Sequence, residues 1–329
     1  MTDACLTVAD LGERGLLTVV QPYCLAGTVG DDAAVLPAPR GQLVVTSDVL
    51  VEGVHFSDRT TPPYAVGWRA AAANLSDLAA MGAAPLSLVV ALGLSAQTPV
   101  AWVEQVYEGL TACCRPWQTG LVGGDLSRSE QRFLAIAAMG DVPSERVIRR
   151  SQARPGDWLV ATGAHGSARA GLELLLHPER ATSLSEEERQ NLIAAHQFPQ
   201  PRLDLLPLWP ELWELGDRIG GMDTSDGLAD AIVQVCQASG VGAEIDPACL
   251  PQSPALTQGF PLNALEWSLY GGEDFELLLS LPPRAAEYLL EHVPTARAIG
   301  TVVNSDKIEL VDMGDLTPDR AFQHFQSAT

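Results

Sequence analysis

Seven aspartates stand where a chain could gather metal ions around phosphate. Asp31 and Asp32 follow Gly30, Asp125 follows Gly123 and Gly124, Asp223 and Asp226 bracket Thr224 and Ser225, Asp48 closes an apolar stretch, and Asp77 lies in an alanine-rich run. Hard cations such as Mg²⁺ prefer carboxylate, water and phosphate oxygens, so carboxylates delivered from several turns suit a multi-metal phosphate site. Each aspartate also has a structural reading, because Asp is common in turns and helix caps. Asp226 or Ser225 would cap the helix that follows, and Asp125 would follow a tight glycine turn. Asp77 is harder to place that way. It falls inside a predicted helix, among Ala72, Ala73, Leu75, Leu78 and Ala79, where Asp is a poor helix former. Asn74 shares its face. A polar stripe on a helix built for burial needs a bound cation or a solvated edge, and the residue types leave both open.

The basic residues narrow the chemistry. The formal charge is −21, and Lys307 is the chain's one lysine. It stands in Ser305-Asp306-Lys307-Ile308 without a glycine loop, which excludes a Walker A loop and the strand lysine of a protein kinase. A chain this acidic has no basic surface for a nucleic acid. It can hold a nucleoside triphosphate if metal ions reverse the local charge. Gly123 and Gly124 allow backbone to approach a phosphate closely. Arg149 and Arg150 would meet the phosphates or line a solvated interdomain segment.

The elements that must carry these residues alternate. Strands are expected at Leu43–Thr46, Leu86–Leu94, Phe133–Met139, Trp158–Thr162 and Phe275–Leu281, with another strand leading to Gly123. Helices are expected at Tyr64–Met81, from a Thr98 cap to about Arg115, at Ser167–His177, after the capping box Ser185-x-x-Glu188, from Gly227 to Ser239, and at Pro283–His292. This predicts an α+β chain of two domains, residues 1–150 and 151–329, joined through Arg154-Pro155-Gly156. Hydrophobic residues make up 47% of the chain, enough for two buried cores. None of the six cysteines forms a C-x-x-C pair, which fits reduced thiols and a cytoplasmic protein. The N-terminus does not read as a signal peptide, and no apolar run is long enough to span a membrane.

Taken in order, "GDDAAVL" (Gly30–Leu36), "VTSDVLVEGVHF" (Val45–Phe56), "NLSDLAAMGAAP" (Asn74–Pro85), "GGD" (Gly123–Asp125), "RSQARPGDWLVATG" (Arg150–Gly163), "DTSDGL" (Asp223–Leu228) and "GGEDFELL" (Gly271–Leu278) resemble the thiamine-monophosphate kinase family. That family sits in a larger group with aminoimidazole ribonucleotide synthetase, selenophosphate synthetase and a hydrogenase maturation factor. The resemblance implies a two-domain aminoimidazole ribonucleotide synthetase-like fold and a homodimer. In it the N-terminal domains pair into a shared barrel-like sheet, with ATP in clefts beside it. It implies that Asp32, Thr46, Ser47, Asp48, Asp77, Asp125, Asp223 and Asp226 hold several Mg²⁺ ions. Tyr107, Gly124, Asp125, Arg150 and Ser225 would meet ATP, and His55, Glu273 and Phe322 thiamine monophosphate. Here Thr46-Ser47 replaces the family's usual Ser-Thr order and keeps both hydroxyls.

The expected reaction is direct in-line transfer of the ATP γ-phosphoryl to thiamine monophosphate, with Asp48, Asp77, Asp125 and Arg150 as its catalytic groups. Rival readings are another ATP-dependent synthetase of the same group, a non-catalytic nucleotide or thiamine sensor, and a metal-dependent phosphatase. The lysine that accompanies the reactive residue of selenophosphate synthetase has no counterpart near Cys5 or Cys24. The chain ends Gln326-Ser327-Ala328-Thr329, without the maturation factor's terminal cysteine.

Overall fold

The computed structural model describes residues 6–317. Its residues divide into two compact units. One holds the chain up to Leu78 together with Ala83–Ser144, and the other holds Ala79–Gly82 and the chain from Glu145 onward.

The first unit contains α1 (Val8–Val20), β1 (Gln42–Val51), α2 (Pro63–Ala80, whose last residues belong to the second unit), β2 (Ala84–Leu94), α3 (Val100–Cys114), β3 (Leu121–Arg128) and β4 (Phe133–Val142). The strands form one sheet in the order β1-β4-β2-β3, so β1 and β3 are its two edges. Alternation along β4 sorts the sheet into two faces. Leu134, Ile136 and Ala138 are buried, and Leu78 of α2 packs over Gly140 on that side. The register places Thr46, Asp48 and Val90 on this helix-covered face. The opposite face carries Leu43, Val45, Ser47 and Val49 of β1 with Ala135, Ala137 and Met139 of β4, and it lies open.

Three expectations are corrected here. β1 does not end before Ser47 and Asp48 but runs to Val51, because β4 pairs with it along its whole length. Gly123-Gly124-Asp125 is not a turn; it lies inside β3, with Gly124 opposite Val90. The glycine is demanded by close approach, since a Cβ on Gly124 would sit 1.9 Å from the Val90 carbonyl oxygen. Thr98 does not cap α3 either. Pro99 takes the cap position in an extended conformation, and the Thr98 hydroxyl pairs with that of Ser95 at 3.1 Å.

The second unit holds β5 (Trp158–Ala161), α4 (Ser167–Leu176), α5 (Glu186–Gln197), α6 (Trp209–Leu215), β6 (Gly220–Asp223), α7 (Leu228–Ser239), β7 (Gly242–Ile245), α8 (Pro254–Gly259), α9 (Ala264–Tyr270), β8 (Leu277–Leu281), α10 (Pro283–His292), β9 (Arg297–Val303), β10 (Ile308–Leu310) and β11 (Gly314–Asp315). Among the described residues its strands are ordered β11-β10-β7-β9-β5-β8-β6. β8 is apolar at nearly every position because both its faces are buried. Leu278 joins a core with Ile232 and Val235 of α7, while Leu277, Leu279 and Leu281 join Leu212 of α6 and Leu289 of α10. α4, α5, α8 and α9 close a third core around Leu174, Leu192, Phe260 and Trp267. The capping box opening α5 forms as expected, Ser185 Oγ accepting from the Glu188 amide at 3.2 Å.

Candidate active site

At the β1 edge the polar stripe on α2 meets the strand. The Thr46 hydroxyl donates to Asp77 Oδ2. The outward amide of Asp48, which has no strand partner on this edge, donates to Asn74 Oδ1 at 3.1 Å. Asn74 is fully buried and returns its own amide to the Ala70 carbonyl at 3.0 Å. The stripe therefore has two functions. Asn74 stitches edge strand to helix, and Asp77 faces Thr46 as a half-buried carboxylate. Ser47 points to the opposite face of the sheet, across from Ala137. His55, just beyond β1, accepts the Val51 amide on Nδ1 at 3.0 Å, so that nitrogen carries no proton.

A second set gathers at the β3 edge. A cavity of about 640 Å³ is lined by Gly30, Asp31 and Asp32, by Gly123, Gly124 and Asp125, and by Tyr107. Its apolar wall includes Leu17 and Val20 of α1 with Val122. That wall was not legible beforehand: α1 carries no motif, and the Leu25 amide, just past its end, donates to the Leu121 carbonyl at 2.7 Å and ties that end to β3. Burial drives the Tyr107 phenol far above its ordinary range and keeps it neutral. Ser127 Oγ donates to Asp125 Oδ2 at 3.3 Å.

These two sets do not meet within one chain. β4 and β2 lie between β1 and β3, and three strand spacings amount to about 14 Å along the sheet. Among the described residues, no group of three or more histidines, cysteines, aspartates and glutamates is placed to hold a metal ion.

In the second unit, Asp223 ends β6 and is buried, with Ser225 Oγ donating to its Oδ1 at 3.3 Å. Neither Ser225 nor Asp226 caps α7; Gly227 holds the cap position without a side-chain bond. Asp226 is exposed. The Glu273 amide donates to the Ser225 carbonyl at 2.7 Å, which lays the "GGEDFE" segment against the "DTSDG" loop. Arg150 is exposed and donates to Gln234 Oε1 at 2.6 Å. Phe322 lies outside the described residues.

Sequence reasoning missed the buried polar support beneath these loops. Glu276 Oε2 accepts from Thr162 Oγ1 and from Arg202, both at 2.6 Å. His165 touches the Thr224 hydroxyl through Nε2 at 3.1 Å, and burial pushes its imidazole down to about 4. Only the acidic content of "GGEDFE" hinted at this network.

Comparison with known proteins completes the description. Residues 30–142 match the model of the AIR synthase related protein N-terminal domain, and residues 154–313 match the C-terminal domain. A thiamine-monophosphate kinase of Synechococcus elongatus is 50% identical over 327 residues, covering 97% of this chain and 98% of that one. The crystal structure of thiamine-monophosphate kinase from Stenotrophomonas maltophilia K279a superposes with a TM-score of 0.79 at 31% identity, covering 93% and 98%. A structure described as AaThiL complexed with AMPPCP and TMP does so at 0.77 and 32% identity, covering 97% and 99%.

Proposed function

The chain belongs to the AIR synthase related protein family, and from that premise we propose that it catalyses the reaction of a thiamine-monophosphate kinase, converting ATP and thiamine monophosphate to ADP and thiamine diphosphate. Half-identity over nearly the whole length of a protein with that name carries the reading. The relative that holds AMPPCP, a methylene-bridged ATP analogue, together with TMP, taken as thiamine monophosphate, supports both substrates.

A phosphate oxygen of thiamine monophosphate attacks the γ-phosphorus in line. A new P–O–P linkage forms, the bond from γ-phosphorus to the bridging oxygen breaks, and ADP leaves with that electron pair. A phosphate monoester has a second pKa of about 6, so the attacking oxygen is already deprotonated and needs no strong base. The protein's task is to place two polyanions together and offset their charge. Tyr107, Gly124, Asp125, Arg150 and Ser225 are assigned to ATP, and His55 and Glu273 to the acceptor. Within this proposal residues 1–150 bind nucleotide and metal and pair two copies, and residues 151–329 complete the nucleotide and acceptor site.

The donor set fits Mg²⁺ in kind: carboxylates and hydroxyls, all hard oxygens, with Thr46 and Asp77 already in contact. Asp32, Thr46, Ser47, Asp48, Asp77, Asp125, Asp223 and Asp226 would hold the ions. Mg²⁺, when bound, would supply positive charge that offsets the phosphate groups of ATP and thiamine monophosphate.

The separation of the two carboxylate sets is explained if the enzyme is a homodimer. β1 and β3 are edge strands covered only in part, by Asn74 and by Leu25, and Val45 is 61% exposed on an apolar face beside Leu43 and Val49; a lone chain seldom leaves both. Closing two such sheets into one barrel removes every edge. If β3 of one copy lies beside β1 of the other, Gly124 and Asp125 come next to the partner copy's β1 carboxylate set. A cytoplasmic location belongs to the same reading, since the five described cysteines are all free.

The test is product analysis of the purified chain with Mg²⁺, ATP and thiamine monophosphate. Equal amounts of ADP and thiamine diphosphate are expected. Ligand binding without turnover would make it a sensor, and phosphate release without ATP a phosphatase.

A further inference from the structure

The segment Gly271–Glu276 is built around a contorted backbone. Glu273 and Phe275, neither of them glycine, both adopt left-handed conformations, with φ of 71° and 51°. Such residues persist only where their surroundings over-determine them. Asp274 stands between them. Its Oδ2 accepts the Gly166 amide at 2.6 Å and its Oδ1 the Ala168 amide at 2.9 Å. Gly166 opens α4 and has no side chain to cap it, so Asp274 supplies the cap from a distant part of the chain. On one side of Asp274, the Glu273 amide is tied to the Ser225 carbonyl, and a Cβ on Gly272 would come within 2.6 Å of that same oxygen. On the other, the Glu276 carbonyl accepts the Thr224 amide at 2.9 Å.

We propose that Asp274 is a positioning residue for the phosphoryl acceptor. By pinning the peptide between two left-handed residues to the start of α4, it fixes the direction in which the Glu273 carboxylate leaves the loop. The inference rests on the reading above that Glu273 meets thiamine monophosphate. Both carboxylate oxygens are used, each by one backbone N–H. An asparagine would keep one acceptor and set its NH₂ against the second amide, a donor facing a donor. The adjoining Asp223–Gly227 loop keeps its own ties, the Thr224 amide to Glu276 and the Gly227 amide to Thr224. The nucleotide side is therefore expected to feel the change less.

The experiment is steady-state kinetics on full-length Asp274→Asn, Glu273→Gln and the double variant, with each substrate varied in turn and a thermal melt to establish folding. Asp274→Asn is expected to raise the KM for thiamine monophosphate about tenfold and the KM for ATP less than about threefold. Because the lock acts through Glu273, the double variant should be within about twofold of Glu273→Gln alone. An unchanged acceptor KM in folded Asp274→Asn, or effects that multiply in the double variant, would overturn the inference while leaving the substrate role of Glu273 intact. A Glu273→Gln enzyme with normal acceptor KM would overturn that role and the inference with it. Should Asp274→Asn fail to melt cooperatively, Ala168→Pro removes one of the two amides in the first turn of α4, where proline is tolerated. It is expected to raise the acceptor KM about threefold, and no change would count against the lock.

Discussion

At the scale of single residues, chemistry and structure share the same side chains. Asn74 and Asp77 were conspicuous in the sequence because an alanine-rich buried helix has no use for them unless something polar lies opposite. The structure supplies that something, the Thr46 hydroxyl and the Asp48 amide. Asp77 keeps its carboxylate for more than this contact, since an amide would accept the same hydroxyl. Asp77→Asn is therefore expected to fold normally, with a thermal midpoint within about 3 °C of the parent, and to lose about 10²–10³-fold in kcat. Near-normal turnover at limiting Mg²⁺ would remove Asp77 from the metal set. What the sequence could not disclose was the role of Asp274 and Glu276. In "GGEDFE" the acidic residues look alike, and only the fold separates Glu273, proposed to meet the acceptor, from two spent on backbone amides and Arg202.

At the scale of elements, helices were the more legible. Pro283–His292 and the Ser185 capping box follow from local rules that hold wherever the helix is placed. The strands carrying the site were misread, because β1 and β3 run on through their polar residues under the pairing of neighbouring strands. Gly123-Gly124 looked like a turn when it is a close strand contact. Gly124→Ala should accordingly cost about 3 kcal/mol in denaturant unfolding and weaken ATP binding; a fully stable variant would contradict the contact with Val90. The loop beneath the second unit's site gives a pH prediction. His165 is buried with its imidazole pushed down to about 4, below the ordinary value near 6.5. Its stabilising contribution is thus present above pH 6.5 and lost as pH falls toward 4. Asp274, pushed up to about 7 by burial, acts in the opposite sense, so the wild-type profile mixes the two. The stability difference between wild type and His165→Gln isolates His165, and should shrink by on the order of 3 kcal/mol between pH 7 and pH 4. A pH-independent difference would mean that the histidine titrates in the folded protein as it does in the unfolded chain, and would contradict its depression by burial.

At the scale of the whole molecule, the carboxylates are divided. Asp32 and Asp125 stand at one edge of the first sheet and Asp48 and Asp77 at the other, with two strands between them. No reading of motifs in order could reveal that separation, because linear order says nothing about which strand is an edge. The account depends on a second copy closing the gap, and mixing two impaired variants tests this. Asp125→Asn and Asp77→Asn are each expected to keep no more than about a hundredth of wild-type activity alone. Unfolded together in equal amounts and refolded, half of the dimers are mixed, and each mixed dimer contains one site in which both aspartates are intact. The account predicts recovery of about a quarter of wild-type activity. No recovery, from a mixture shown to contain mixed dimers, would mean that each site is made by one chain, and would contradict it.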